Sequence, residues 1–170
     1  MMRPVIFDSN ILIDHLNGVP EALTEISYYP KGSISVITWM ELVTAFKAKR
    51  EKGVMSQEDY DGSLAFLTAF DVIHIDDAIM DRAAEVRGHS LVLGGKKKLA
   101  LPDAIIKATS EIQGLTLITR NTSDFDSSDV LVRVPYNAEV THKALATVVN
   151  LFTPSADLVI KISMVALPPV

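Results

Sequence analysis

Along the chain, short apolar runs alternate with segments whose apolar residues recur at helical spacing. The first run, Val5-Ile6-Phe7, ends in Asp8, Ser9 and Asn10, and Ile11, Leu12 and Ile13 then resume the apolar pattern. This predicts a buried strand followed at once by a helix through Leu16, with Ser9 or Asn10 as its N-cap. Gly18-Val19-Pro20 breaks that helix, and a shorter one over 21–27 stops before Tyr29-Pro30-Lys31-Gly32. Residues 33–37 alternate and are β-branched, which predicts a second strand. Thr38 then fits as an N-cap with Glu41 at capping-box spacing, opening a helix to about Arg50. Gly53 ends it, and Ser56 opens another with Tyr60, Leu64 and Leu67 on one face.

A third strand is expected over 70–75, followed by a helix from Asp76 or Asp77 with Ile79, Ala83 and Val86 at helical spacing. A Gly-Gly-Lys-Lys-Lys connection covers 94–98. Pro102 suits the first residue of the next helix, which buries Ile105, Ala108 and Ile112 and ends at Gly114. A fourth strand over 115–119, a polar loop over 120–129 and a short last strand over 130–134 complete the pattern. Alternating strands and helices predict an α/β fold, with a central, mostly parallel sheet of four or five strands flanked by helices. Residues 1–137 are expected to form this domain. From Ala138 to Val170 only Glu139, Lys143, Asp157 and Lys161 are charged. This stretch reads as a C-terminal extension, helical over 140–151 and strand-like over 157–167. Docking on the domain, an interface, or no selected role all remain open for it.

The 170 residues are 48% hydrophobic and 22% charged, a balance that supports a buried core, and the net charge is −5. That charge argues against bulk electrostatic binding of nucleic acid, but not against a nuclease that spends carboxylates on its site. The chain has no cysteine, which excludes disulfides and Cys-based zinc sites and fits a cytoplasmic protein. Met1-Met2-Arg3-Pro4 does not open a secretory signal, and no stretch reaches the ~18 apolar residues of a membrane span.

In an open parallel sheet, ligands sit beyond the carboxyl ends of the strands. Asp8 falls at such an end, Glu41 one turn into the helix after strand two, Asp103 at a helix start, and Asp124 just past strand four. Each has a plain explanation by itself. Asp8 could cap a helix, Glu41 could complete a capping box, Asp103 could complement a helix dipole, and Asp124 could be a loop acid beside Asp126 and Asp129. Their recurrence at one edge of the sheet changes the reading. Four gathered carboxylates repel one another unless a cation neutralises them, and oxygen donors suit magnesium or manganese.

Four segments carry a family likeness: Phe7-Asp8-Ser9-Asn10-Ile11-Leu12-Ile13-Asp14, Trp39-Met40-Glu41-Leu42, Leu101-Pro102-Asp103-Ala104-Ile105-Ile106-Lys107-Ala108-Thr109, and Leu117-Ile118-Thr119-Arg120-Asn121-Thr122-Ser123-Asp124-Phe125. In order and spacing they resemble a PIN domain, specifically a VapC-type toxin ribonuclease of a type II toxin–antitoxin system, over residues 1 to about 137. Ser9 stands where threonine is more usual, which keeps a hydroxyl. The resemblance implies an endoribonuclease dependent on Mg2+ or Mn2+. Asp8 and Asp103 would be the main metal ligands, with Glu41 and Asp124 completing the catalytic pocket directly or through water. Ser9, Asn10 and Asn121 would support them. It further implies an RNA substrate, a cognate antitoxin and a homodimer. Metal-activated water attacking in line would leave a 5′-phosphate and a 3′-hydroxyl.

Lys96, Lys97, Lys98 and Arg120 adjoin this acidic set and are candidate RNA contacts, against the plainer reading of solvated loop cations. Lys47, Lys49, Arg50 and Lys52 fit better as charges complementing the end of a helix. Trp39 is expected in the core. The histidines His15, His74, His89 and His142 form no metal-binding pair, and no P-loop or Gly-x-Ser-x-Gly is present. The alternatives are a PIN-fold nuclease of RNA processing, a non-catalytic PIN-like or receiver-like binding domain, and a dehalogenase-like phosphatase. The last wants a second Asp where Asn10 sits.

Overall fold

A computed structural model describes residues 3–92 and 98–136, which lie in one compact unit ending at Tyr136. The expected extension 138–170, with its helix and strand, lies outside the described residues. Among the described residues no helix is long and apolar enough to cross a membrane.

The chain runs β1 (Val5–Phe7), α1 (Ser9–Leu16), α2 (Pro20–Ser27), β2 (Ser33–Ser35), α3 (Val36–Glu51), α4 (Gln57–Leu67), β3 (Asp71–Ile73), α5 (Asp77–Val92), α6 (Leu101–Gln113), β4 (Thr116–Ile118) and β5 (Val132–Arg133). The sheet has five strands in the order β3-β2-β1-β4-β5, and every pairing is parallel. Successive strands step from β1 to β2 to β3 on one side; β4 then returns to the other side of β1. The strand order therefore reverses between β1 and β4, and a crevice opens at such a point at the carboxyl ends of the strands.

Side chains alternate across β1, so its two faces feed two cores. Val5 and Phe7 pack with Ile11, Leu12, Ile34, Leu42, Phe46 and Phe70, while Ile6 packs with Leu117, Ala104, Ile106 and Phe125. Burial on both faces explains why β1 reads as an apolar run. Phe7 meets Tyr29 and Phe70 edge to face, with centroids 5.7 and 5.9 Å away. Gly32 lies against the Phe7 ring, so closely that a Cβ there would fall 2.4 Å from Phe7 Cε2.

Helix boundaries mostly follow the sequence pattern, with two informative departures. The expected strand over 33–37 is only three residues long, and α3 is capped by Ser35, whose Oγ accepts from Ile37 N at 3.2 Å. Thr38 is thus a buried interior residue rather than the cap, and Glu41 is not at capping-box spacing. Tertiary pairing, not β-branched propensity, sets the strand length: only Ser33, Ile34 and Ser35 find partners on β3. The second departure is at α1, where the N-cap is Asp8 itself, accepting from Ser9 N at 2.7 Å, rather than Ser9 or Asn10. Trp39, expected in the core, is 36% exposed.

Candidate functional site

The register between β1 and β4 builds the site. Phe7 pairs with Ile118, and Asp8 N donates to Ile118 O at 3.0 Å. The residues one step further, Asp8 and Thr119, are therefore neighbours at the switch point of the sheet. The Thr119 hydroxyl donates to Asp8 Oδ2 at 2.6 Å and accepts from Asn121 N at 3.0 Å. Asn10 Nδ2 donates to the same Asp8 Oδ2 at 2.6 Å and to Thr119 Oγ1 at 3.1 Å. Asp8 is only 4% exposed, and Thr119 is fully buried. Burial raises the Asp8 pKa above its ordinary value, and the hydrogen bonds from Thr119, Ser9 and Asn10 pull in the opposite direction.

Glu41 lies on an exposed turn of α3, yet its carboxyl is pushed upward in pKa. Partial desolvation is the main cause, a hydrogen bond with Ser9 opposes it, and the charges of Asp8 and Asp103 add to it. The charges of Asp8 and Asp103 thus both act on Glu41. Ser9 links Asp8 to Glu41, since its Oγ is also 3.4 Å from Asp8 Oδ1. Asp103 is partly exposed in the first turn of α6, behind Pro102.

Asp124 joins by hydrogen bonds instead. Asn121 Nδ2 donates to Asp124 Oδ2 at 2.8 Å, and Ser123 Oγ donates to Asn121 Oδ1 at 2.7 Å. The loop is pinned to the second core by Phe125, which is 1% exposed and whose N–H donates to Asn121 O at 3.1 Å. A relay thus runs from Asp8 through Thr119 and Asn121 to Asp124.

Among the described residues, no three His, Asp or Glu side chains stand close enough to cage an ion unaided. The donor set still fits a hard divalent cation. It consists of carboxylate oxygens whose mutual repulsion a cation relieves, and magnesium usually takes one or two protein carboxylates and keeps its remaining waters.

The basic candidates divide. Lys98 is exposed, and Lys96 and Lys97 lie outside the described residues. Arg120 is tied to Asp14, with Nε 2.6 Å from Oδ2 and Nη2 donating to Oδ1 at 3.0 Å. Lys47 and Arg50 border a separate pocket with Glu51 and Tyr60, where the Arg50 guanidinium lies 5.2 Å from the Tyr60 ring centre. Sequence reasoning missed Thr119 and Asp14 as partners of site residues. Asp14 lies one helical turn after Asn10, so helical spacing could have placed it on the same face. Thr119 carried the weaker signal of a hydroxyl at a strand end.

The PIN-domain family profile matches residues 5–131. Comparison with curated proteins returns no match. Among solved structures, a chain of a toxin–antitoxin complex from Klebsiella pneumoniae is 36% identical, covering 78% of this chain and 98% of that one, with a TM-score of 0.65. FitAcB from Neisseria gonorrhoeae is 22% identical, covering 77% and 97% at a TM-score of 0.64. DNA-bound VapBC from Salmonella typhimurium is 18% identical, covering 78% and 98% at a TM-score of 0.65. The chain belongs to the PIN-domain family.

Proposed function

We propose that the protein is a metal-dependent endoribonuclease, the toxin of a toxin–antitoxin pair. The observation that carries this is the buried Asp8 carboxylate where β1 ends beside β4, held by Thr119, Asn10 and Ser9, in a chain of the PIN-domain family; the charges of Asp8 and Asp103 acting on Glu41 support it. The 36% identity to a chain of a toxin–antitoxin complex supports the biological setting. Under this reading the partners are RNA, a cognate antitoxin and a second copy of the chain.

Asp8 and Asp103 would hold Mg2+ or Mn2+, with Glu41 and Asp124 acting directly or through water. An ion held there would supply a water of lowered pKa and would offset charge building on the scissile phosphate. The chain's own residues do the placing. Thr119, Asn10 and Ser9 fix the Asp8 carboxylate, and Asn121 fixes Asp124. No protein nucleophile is needed, and in-line attack leaves a 5′-phosphate and a 3′-hydroxyl.

Purified protein should cut RNA with magnesium or manganese and stop when a chelator is added. Asp8→Asn and Asp103→Asn should each abolish cleavage while circular dichroism stays native. Cleavage that persists in chelator, or in both variants, overturns the mechanism. Expression should arrest growth, and co-expression of the neighbouring small open reading frame should relieve it; arrest that no such partner relieves removes the toxin–antitoxin part.

A further inference from the structure

Asn10 and Asp14 are four residues apart on α1 and so share a face. Both hold Arg120, at different atoms. Asn10 Oδ1 accepts from Arg120 N at 3.1 Å, Asp14 Oδ1 accepts from Arg120 Nη2 at 3.0 Å, and Nε stands 2.6 Å from Oδ2 as an ion-pair contact. The Asp14 side chain is 5% exposed, and the Tyr136 hydroxyl donates to its Oδ2 at 3.0 Å. The Arg120 guanidinium also lies 6.0 Å from the Tyr136 ring centre. A guanidinium that both ion-pairs with a buried carboxylate and hydrogen-bonds it through one arm, beside an aromatic ring, uses a planar shape and reach that lysine lacks. Arg120 stands between Thr119, which holds Asp8, and Asn121, which holds Asp124. Two attachments one helical turn apart leave the start of this loop little freedom to slide along α1.

We propose that Asp14 and Arg120 are positioning residues: their ion pair seats the loop of Asn121 and Asp124 on α1, setting Asp124 against Asp8, and Arg120 does not serve as a phosphate contact. This rests on the nuclease reading above for its kinetic consequences.

The experiment compares Arg120→Lys, Arg120→Ala, Asp14→Asn and the Asp14→Asn/Arg120→Ala double variant in the full chain. Thermal denaturation gives the folded fraction of each. The expected result is a fall in kcat per folded molecule on the order of tenfold to a hundredfold in all four, the scale that misplacement of reacting groups produces. KM for RNA and its salt dependence stay at the wild-type values, and the double variant is no worse than the worse single, because both changes remove one interaction. Amide exchange at 119–125 speeds up in Arg120→Lys while Ile6 and Leu117 keep their protection. Wild-type kcat in Arg120→Lys overturns the proposal, since a phosphate contact needs only the charge. A raised KM in Arg120→Ala with a salt slope shallower by about one also overturns it. Lower stability with unchanged kcat and unchanged exchange in the loop does the same. If the wild-type protein cuts no RNA, the nuclease reading falls, and the exchange measurement still decides the clamp.

Discussion

The Thr119 hydroxyl stands 2.6 Å from Oδ2 of Asp8, across a sequence separation of 111 residues. It also accepts from Asn121 N and Asn10 Nδ2, so its donor and both lone pairs are used. Thr119→Val keeps the shape, removes the donor and leaves two N–H groups facing a methyl. Its expected cost is roughly 1–3 kcal/mol of stability, the penalty for leaving buried polar groups unmet. The Asp8 pKa should rise further, moving the acid limb of the pH–rate profile upward. Thr119→Ser should behave like wild type. Urea denaturation and a pH–rate series on the two variants test both points.

The acidic site should make the metal-free protein less stable as pH rises. Asp8 and Glu41 both have raised pKa values in the folded state, chiefly through burial. Between the ordinary carboxylate range and the raised values, the folded state binds more protons than the unfolded one, so stability falls with pH and levels off above. In chelator, Glu41→Gln should therefore exceed wild type in stability at neutral pH, with the gap closing as the pH drops below about 4. Asp129 has the opposite sign. Its pKa is lowered, first by the hydrogen bond from Lys107 Nζ at 2.8 Å. Asp129→Asn should lose less than about 1 kcal/mol at neutral pH and nothing in acid.

Cation binding should be visible without any substrate. If Asp8 and Asp103 hold the ion, magnesium at 100 times its dissociation constant should stabilise the fold by about 2.7 kcal/mol. Asp103→Asn should abolish most of that rise in a thermal shift series. An equal rise in that variant would show that the ion binds elsewhere.

Gly32→Ala should disturb the site from behind. The new Cβ would lie 2.4 Å from the Phe7 ring, which is wedged between Tyr29 and Phe70. Overpacking of this kind costs roughly 1–3 kcal/mol. Because Phe7 precedes Asp8, cleavage per folded molecule should drop with stability. Thermal denaturation run beside the nuclease assay checks this.

Much of the fold was legible in the chain because β1 is buried on both faces and the helices carry clear stops. Ser56 caps α4 and Gly114 ends α6 at φ 63°, as the pattern implied, while Pro102, expected as the first residue of α6, is its second. The start of α3 was not legible. Val36, Ile37 and Thr38 have strand propensity, and only the three-residue pairing of β2 with β3 returns them to the helix. That shift also removes the capping-box explanation of Glu41. Trp39 was misplaced for a similar reason, since an apolar neighbourhood in sequence does not say how fully a helix face is covered.

By itself the sequence determined the class of fold, the order of its strands and helices, and the identities of the four acids, because periodicity and strand-end position are local properties. Only the tertiary structure decided how they are connected. Glu41 feels the charges of Asp8 and Asp103 because α3 packs against α1 and α6, and Asp124 is tied to Asp8 through Thr119 and Asn121 because β4 crosses back beside β1. It also decided that Arg120 is held by Asp14. Such pairings depend on register and on long-range return of the chain, which no local pattern of residues encodes.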